Sequence, residues 1–311
     1  MTMPTESSAS SSNAAMLKNT GNVENLFRNL GSRYICEVQS TSQACQAYTA
    51  LFELGRENVD GRSIGEYKDW LSKTCKLFPG IIVFHDGCLD SFENPDAHFE
   101  RLELGGLRTF GLLPKLSAVL ENFTPKAAAD ITFRLPEYGL VQLAKFELAE
   151  KVFEMTNTDS VLWVDAGISR FIPDSLNTNN LQNFSRFLLK SRYDYFFEID
   201  TRRNWNPLKI KLKRPGVGTS RRIVAGGSFW IRSRNIKALS FSAFNYAKGW
   251  VEAGIWDNEQ ILLRYLLPII QGEKLYVRKG KALTALVPRI MMENSWRPSK
   301  VKNCWFNILM R

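Results

Sequence analysis

Apolar and polar positions alternate along this chain in two distinct rhythms. Val161-Leu162-Trp163-Val164 is an unbroken apolar run, two residues β-branched and one aromatic, that ends on Asp165. Such a run is the mark of a strand buried on both faces. Comparable runs occur at 47–54, closed by Gly55-Arg56, and at 81–85, closed by Asp86-Gly87. Others fall at 193–199, at 223–231 with Gly226-Gly227 interrupting it, and at 274–278. Between them the spacing turns helical. Tyr67, Trp70, Leu71 and Cys75 line one side of a helix over 64–78, which Pro79-Gly80 stops. Further helices are expected near 115–122, from about 137 to 155 behind Pro136, and near 234–249 and 257–267. Strands alternating with helices predict an α/β fold with a largely parallel sheet. Ligands of such sheets gather beyond the carboxyl ends of the strands, where Asp86 and Asp165 both stand.

Composition adds bounds. With 311 residues, 44% of them apolar and 12% aromatic, the chain can bury a sizeable core. It holds no apolar stretch long enough to span a membrane. The first 24 residues are Ser-rich and lack a basic start followed by an apolar core, so they read as a disordered tail rather than a secretory signal. One domain is expected over 25–311. The five cysteines (Cys36, Cys45, Cys75, Cys88 and Cys304) are scattered and form no C-x-x-C pair, which fits a reducing, cytoplasmic setting. Cys88 follows His85 by three residues, but nothing around them points to nucleophilic catalysis.

The formal charge is +10, and its excess concentrates at 202–222, where Arg202, Arg203, Lys209, Lys211, Lys213, Arg214, Arg221 and Arg222 meet no acid. That block either is a solvated basic loop or favours an anionic partner: a diphosphate, an acidic glycan, a lipid surface or nucleic acid. Nucleic acid is the least favoured, because no motif for it accompanies the block. Peripheral membrane contact stays open.

Four features carry candidate chemistry. On the 137–155 helix, Tyr138, Val141, Lys145, Leu148, Ala149 and Val152 share one face, so Lys145 sits in an apolar stripe. It must snorkel, pair with an acid, or face a ligand in the same cleft as Asp165. Asp165 itself either closes an Asx-type turn or is a rigidly held carboxylate suited to a hard divalent cation or a ribose hydroxyl. Gly226 and Gly227 let another group approach the backbone closely. Asp257 opens a helix as its expected N-cap, with Glu259 two residues on; either acid is also a candidate to activate an acceptor hydroxyl.

These residues bring a family into view. SVLWVDAGISRF, preceded by the lysine-bearing LPEYGLVQLAKFELAE, resembles the HtrL/YibB family of bacterial glycosyltransferase-like proteins. TALFELGR with GRSIGEYKDWL, IIVFHDG, VAGGSFWIRS and DNEQILL extend the resemblance over most of the chain. It implies a GT-A-like (Rossmann-like) sheet flanked by helices, with a nucleotide-sugar donor at the strand ends and a glycan or lipid-linked acceptor. It further implies a role in surface polysaccharide synthesis. In this reading Asp165 contacts the donor or its metal, Mn2+ or Mg2+. Lys145 and Arg170 compensate charge, and Asp86, Gly167, Gly226 and Gly227 border the donor. Ala166 and Gly167 are then small so that the donor can lie close to the backbone. GT-A enzymes usually carry Asp-x-Asp at this strand end. Here the second position is Gly167, which leaves open whether another carboxylate completes a metal shell or cationic side chains neutralise the diphosphate without one. The 202–222 block, with Pro215-Gly216-Val217-Gly218 at its centre, is suited to closing over such a donor. A binding protein that has lost catalysis on the same fold is the rival reading.

Overall fold

The computed structural model describes residues 45–122, 131–171, 189–190, 192–199, 224–267, 270–272 and 274–278. All lie in the compact unit Ser42–Arg311. The Ser-rich tail, the 202–222 block, Cys36 and Cys304 fall outside the described residues.

Among the described residues seven strands form one sheet: β1 (Gln46–Leu51), β2 (Ile81–His85), β3 (Ala97–Arg101), β4 (Ser160–Val164), β5 (Tyr195–Ile199), β6 (Val224–Arg232) and β7 (Lys274–Arg278). Their spatial order is β3-β2-β1-β4-β6-β5-β7. All are parallel except β6, which runs antiparallel to both its neighbours. This is the mostly parallel, helix-flanked α/β sheet that the alternation of strands and helices predicts. Because β6 is reversed, its amino-terminal end, Val224 to Gly227, lies beside the carboxyl end of β4.

The central strand is buried as its pattern demands, at all five residues of β4. Val161 and Trp163 enter one core, Leu162 and Val164 the other. In the first, Trp163 stacks on Phe229 at 6.4 Å and meets Tyr48 edge-on at 5.3 Å. The second is closed by α2 (Ile64–Leu77, after the short α1, Glu57–Asp60) through Leu71 and Cys75. Ser63 begins α2 with a reciprocal capping box to Glu66, satisfying two amides left over at the helix start.

The other face carries α3 (Leu113–Glu121), α4 (Pro136–Thr156), α5 (Ile236–Glu252) and α6 (Glu259–Leu266). Helix α4 starts with Pro136 in its first turn, where no amide partner is needed, and ends on Asn157 at φ 48°. Its burial exceeds the single stripe expected, extending to Leu140, Leu143, Ala144 and Phe146, because α3 and α5 pack on it as well as the sheet. Among the described residues no helix is long and apolar enough to cross a membrane.

Two local expectations are revised, and one strand is added. The 47–54 run leaves the ladder after Leu51, since the Glu53 amide turns to donate to Asp86 Oδ2 at 2.9 Å. Strand β3 lacks any apolar run; it is an edge strand with a single neighbour, so exposed His98 and Arg101 and half-buried Glu100 suit it. Asn258, not Asp257, caps α6: its side chain accepts from the amides of Gln260 and Ile261. Asp257 is turned inward, 4% exposed, and its carboxylate accepts from the Asn258 amide at 2.9 Å.

Candidate functional site

A cleft of about 610 Å³ opens at the carboxyl edge of the sheet, within the size range of small-molecule sites. Its walls come from the segment after β1 (Leu51 to Asn58), the segment after β4 (Asp165 to Phe171), the start of β6 (Val224 to Gly227), and Tyr67, Tyr138, Gln142 and Glu198. Of the residues singled out from the sequence, Asp165, Gly167, Arg170, Gly226 and Gly227 line it together. Lys145, Asp86, Asp257 and Glu259 do not.

Asp165 is fixed from both directions. Its amide donates to Gly227 O at 2.9 Å, continuing the β4–β6 ladder, and its carbonyl accepts from the Ile168 amide at 2.9 Å to close the turn. The turn is therefore made by the main chain, and the side chain is not needed for it. Asp165 Oδ1 instead accepts from Trp163 Nε1 at 3.2 Å. Oδ2 lies beside Gly227, where a Cβ would approach it to 3.4 Å. Burial raises the Asp165 carboxyl above the usual aspartate range; Lys145 pulls it back down and Glu259 pushes it up.

Lys145 is closed off behind this wall. Its ammonium donates to Gly226 O at 2.9 Å, Glu259 Oε1 at 3.0 Å and Gln142 Oε1 at 3.3 Å. An ammonium has three protons to give, so none is left for a phosphate. The side chains of Lys145 and Glu259 are 0% and 4% exposed. The lysine thus pairs with an acid, one of the three outcomes its sequence position allowed, and it ties α4 to β6 and α6. Glu259 faces this pair rather than the cleft.

The glycine pair has a matching explanation. A Cβ at Gly226 would lie 2.1 Å from Glu259 Oε1 and 3.1 Å from Lys145 Nζ. The side chain missing at Gly226 therefore admits the Glu259 carboxylate, whereas at Gly227 a Cβ would meet Asp165 Oδ2 only at an ordinary contact distance. The ladder bulges at the same place: Phe197 pairs with Phe229, but Ile199 pairs with Val224. That bulge presents Gly226 O to both Lys145 Nζ and Trp163 Nε1. One carbonyl so links the buried ion pair to the indole that holds Asp165.

Arg170 lines the cleft from the same segment after β4. Its Nε donates to Gly167 O at 3.0 Å, and its Cζ lies 4.3 Å from the Trp70 ring centroid and 5.0 Å from that of Phe171. Helix α2 anchors the segment beneath it: Thr74 Oγ1 donates to Ala166 O at 2.8 Å and Ser169 Oγ to Trp70 O at 2.7 Å.

Sequence reasoning overlooked the wall after β1. Arg56 Cζ sits 4.5 Å from the Tyr138 ring and 5.3 Å from Tyr67, and its guanidinium pairs with Asp60 at 2.7 Å. Gly55, at φ 66°, makes the turn that brings it there. Glu198 was missed as well. It is 2% exposed and lines the cleft from β5, near Ser228 Oγ at 3.5 Å. An acid inside the apolar run Tyr195-Phe196-Phe197 was a readable sign of a buried carboxylate.

Asp86 is a staple: Oδ2 accepts from the Glu53 amide and Oδ1 from the Cys88 amide, joining the segments after β1 and β2. His85 and Cys88 form no catalytic pair. His85 Nδ1 accepts from the Gly87 amide, Cys88 Sγ donates to Leu51 O, and burial pushes the Cys88 thiol up to about 12.

No family model matches the chain, and no curated protein matches it. Among solved structures it is similar to the crystal structure of a glycosyltransferase involved in the glycosylation of the major capsid of PBCV-1, at 10% identity. That similarity covers 75% of this chain and 82% of the other, with a TM-score of 0.37. So distant a likeness carries no argument about this chain's chemistry, which rests on the geometry of the cleft.

A divalent cation would find a sparse donor set. Among the described residues no three His, Cys, Asp or Glu side chains cluster as metal ligands. A side chain at position 167 would come within 3.1 Å of Arg170 Nε, so the space beside Asp165 that a second acid would use is held by a guanidinium. These residues do not fit a protein-held metal centre.

Proposed function

We propose that this chain is a glycosyltransferase of the HtrL/YibB type, moving a sugar from a nucleotide-diphosphate donor to a glycan or lipid-linked acceptor in surface polysaccharide synthesis. The observation that carries the reading is the meeting, in one cleft at the carboxyl edge of the sheet, of Asp165 with the guanidinium of Arg170. An acid and a cation side by side suit a ligand with a polyhydroxylated part and an anionic part. Asp165, held by the Trp163 indole, accepts from a donor hydroxyl, and Arg170 meets the diphosphate. Arg56, Tyr67 and Tyr138 form a flat cationic-aromatic wall for the base. Lys145 and Glu259 shape the wall from behind, with Asp257 holding the entry to α6. The acceptor-facing acid is then Glu198, a general base if configuration inverts and a positioning group if it is retained.

The test is thermal denaturation of the wild type and of Asp165→Ala across nucleoside diphosphates and nucleotide-sugars, with and without manganese. A ligand of the folded state raises the midpoint. One nucleotide series should shift the wild type and not the variant; no shift with any donor would sink the reading.

A second reading, a non-catalytic glycan- or nucleotide-binding protein, is favoured by one observation: both acids expected to activate the acceptor are engaged inside the protein. Release of nucleoside diphosphate from the cognate nucleotide-sugar, with acceptor present, separates the two.

A further inference from the structure

The cations near the cleft differ in what they face. Arg56 has Asp60, Arg62 lies 4.0 Å from the same carboxylate, and Lys145 has Glu259. Arg108, Arg232 and Arg234, outside the cleft, face Glu147 and Glu150 or Asp194. Arg170 lines the cleft with no carboxylate within ion-pair distance among the described residues. A guanidinium offers five N–H donors in a fixed fork. Arg170 uses one, from Nε to Gly167 O, while the Trp70 and Phe171 rings flank the group at 4.3 and 5.0 Å. The remaining donors are oriented in advance and unspent. Gly167 belongs to the same device, because any side chain there would meet Nε at 3.1 Å and Nη2 at 3.2 Å.

We infer that the cleft takes the diphosphate of a nucleotide directly on Arg170, with no divalent cation required as a bridge. This rests on the donor-site reading above and gives its anionic half a named receptor. The physical case is one of charge and shape. A diphosphate needs positive charge beside it, and a fork of N–H groups matches phosphate oxygens two at a time. The flanking rings limit the rotamers that the arginine must give up on binding. The place that a metal-holding acid would need is filled by the cation itself, so Arg170 and a second acid at 167 are alternatives in one volume.

The experiment is calorimetric titration of UDP, GDP, ADP and CDP into the full chain, in excess EDTA and again in excess manganese, with wild type, Arg170→Ala and Arg170→Lys. One diphosphate should bind the wild type in EDTA with an affinity that manganese leaves unchanged. Arg170→Ala should weaken that binding roughly 10- to 100-fold, the value of charge-assisted hydrogen bonds. Arg170→Lys keeps the charge but loses the fork, so it should recover only part of the affinity. Arg170→Lys also serves if the alanine variant folds poorly. Binding that requires manganese overturns the inference while leaving the donor site intact. So does binding in EDTA that both variants match. No binding of any diphosphate in either buffer removes the donor-site reading and this inference with it.

Discussion

Two acid–base arrangements lie within the span of one glycine pair, and they are built to opposite ends. At Gly226, Lys145 and Glu259 close on each other at 3.0 Å, buried, with every ammonium proton spent inside the protein. At Gly227 and Gly167, Asp165 and Arg170 share a cleft without forming an ion pair, each fixed by a neutral partner: an indole for the acid, a carbonyl and two aromatic rings for the cation. The first arrangement is complete and holds elements together. The second retains unspent hydrogen-bonding capacity at a solvent-facing wall, which is what a binding site requires. Residue type does not separate them; the number of protons and lone pairs already committed does.

The contrast can be broken first at its buried end. Lys145→Ala leaves Glu259 without its partner in a closed site and Gly226 O with only the Trp163 indole. Removing one member of a buried pair costs about 3–5 kcal/mol, so urea denaturation should show the largest loss of this set. Lys145→Met combined with Glu259→Leu should recover much of it, because an apolar pair of similar volume removes the uncompensated charge. A double variant as unstable as the single one would mean that Gly226 O, rather than the ion pair, is the essential contact.

The glycines sharpen the comparison at an intermediate scale. At Gly226 a methyl group would fall 2.1 Å from Glu259 Oε1, whereas at Gly227 the nearest atom is Asp165 Oδ2 at 3.4 Å. Gly226→Ala should therefore cost about 1–3 kcal/mol through overpacking. Gly227→Ala should lower the midpoint less, at most by the modest cost of an ordinary contact. Equal losses in the two variants would show that backbone freedom at the bulge, and not the carboxylate at Gly226, sets the requirement.

The smallest effect on stability is expected at Asp165, and its sign is distinctive. Burial raises this carboxyl in the folded state. Between the ordinary aspartate range and the raised value, the folded protein holds a proton that the unfolded chain has lost. Stability from this group therefore falls as pH rises through that window. Asp165→Asn keeps an acceptor for the Trp163 indole and removes the titration. The variant should be more stable than wild type at neutral pH, with the advantage shrinking as pH falls through that window and gone below the ordinary aspartate range, and it should lose donor binding. Melting curves across pH check this; a variant less stable at neutral pH would mean that the Asp165 charge is compensated more fully than its burial allows.

Much of the fold was legible in the sequence because strand and helix rhythms are local. Ile81 to His85 formed a strand to the residue, and the Val161-Leu162-Trp163-Val164 run became the strand on which the site hangs. Where the rhythm was silent, as at β3, only pairing with β2 made a strand of polar residues. Asp165 was visible as an acid at a strand end, and Arg170 lay in the same motif. The fate of Lys145 was not visible. Its partner Glu259 lies 114 positions away, and its sequence position was equally compatible with solvent, a ligand or an acid.

The sequence by itself determined most of the strands and helices and that the sheet is mostly parallel, and it pointed to the carboxyl edge, where the cleft lies. Periodicity and turn residues act over a few positions, and the topology rules follow from their order. The tertiary structure alone decided which charged groups are spent and which remain available. Ion pairs, shared carbonyls and the clearance above a glycine depend on contacts between segments remote in the chain. Those contacts left Asp165 and Arg170 in the cleft and enclosed Lys145 and Glu259 behind it.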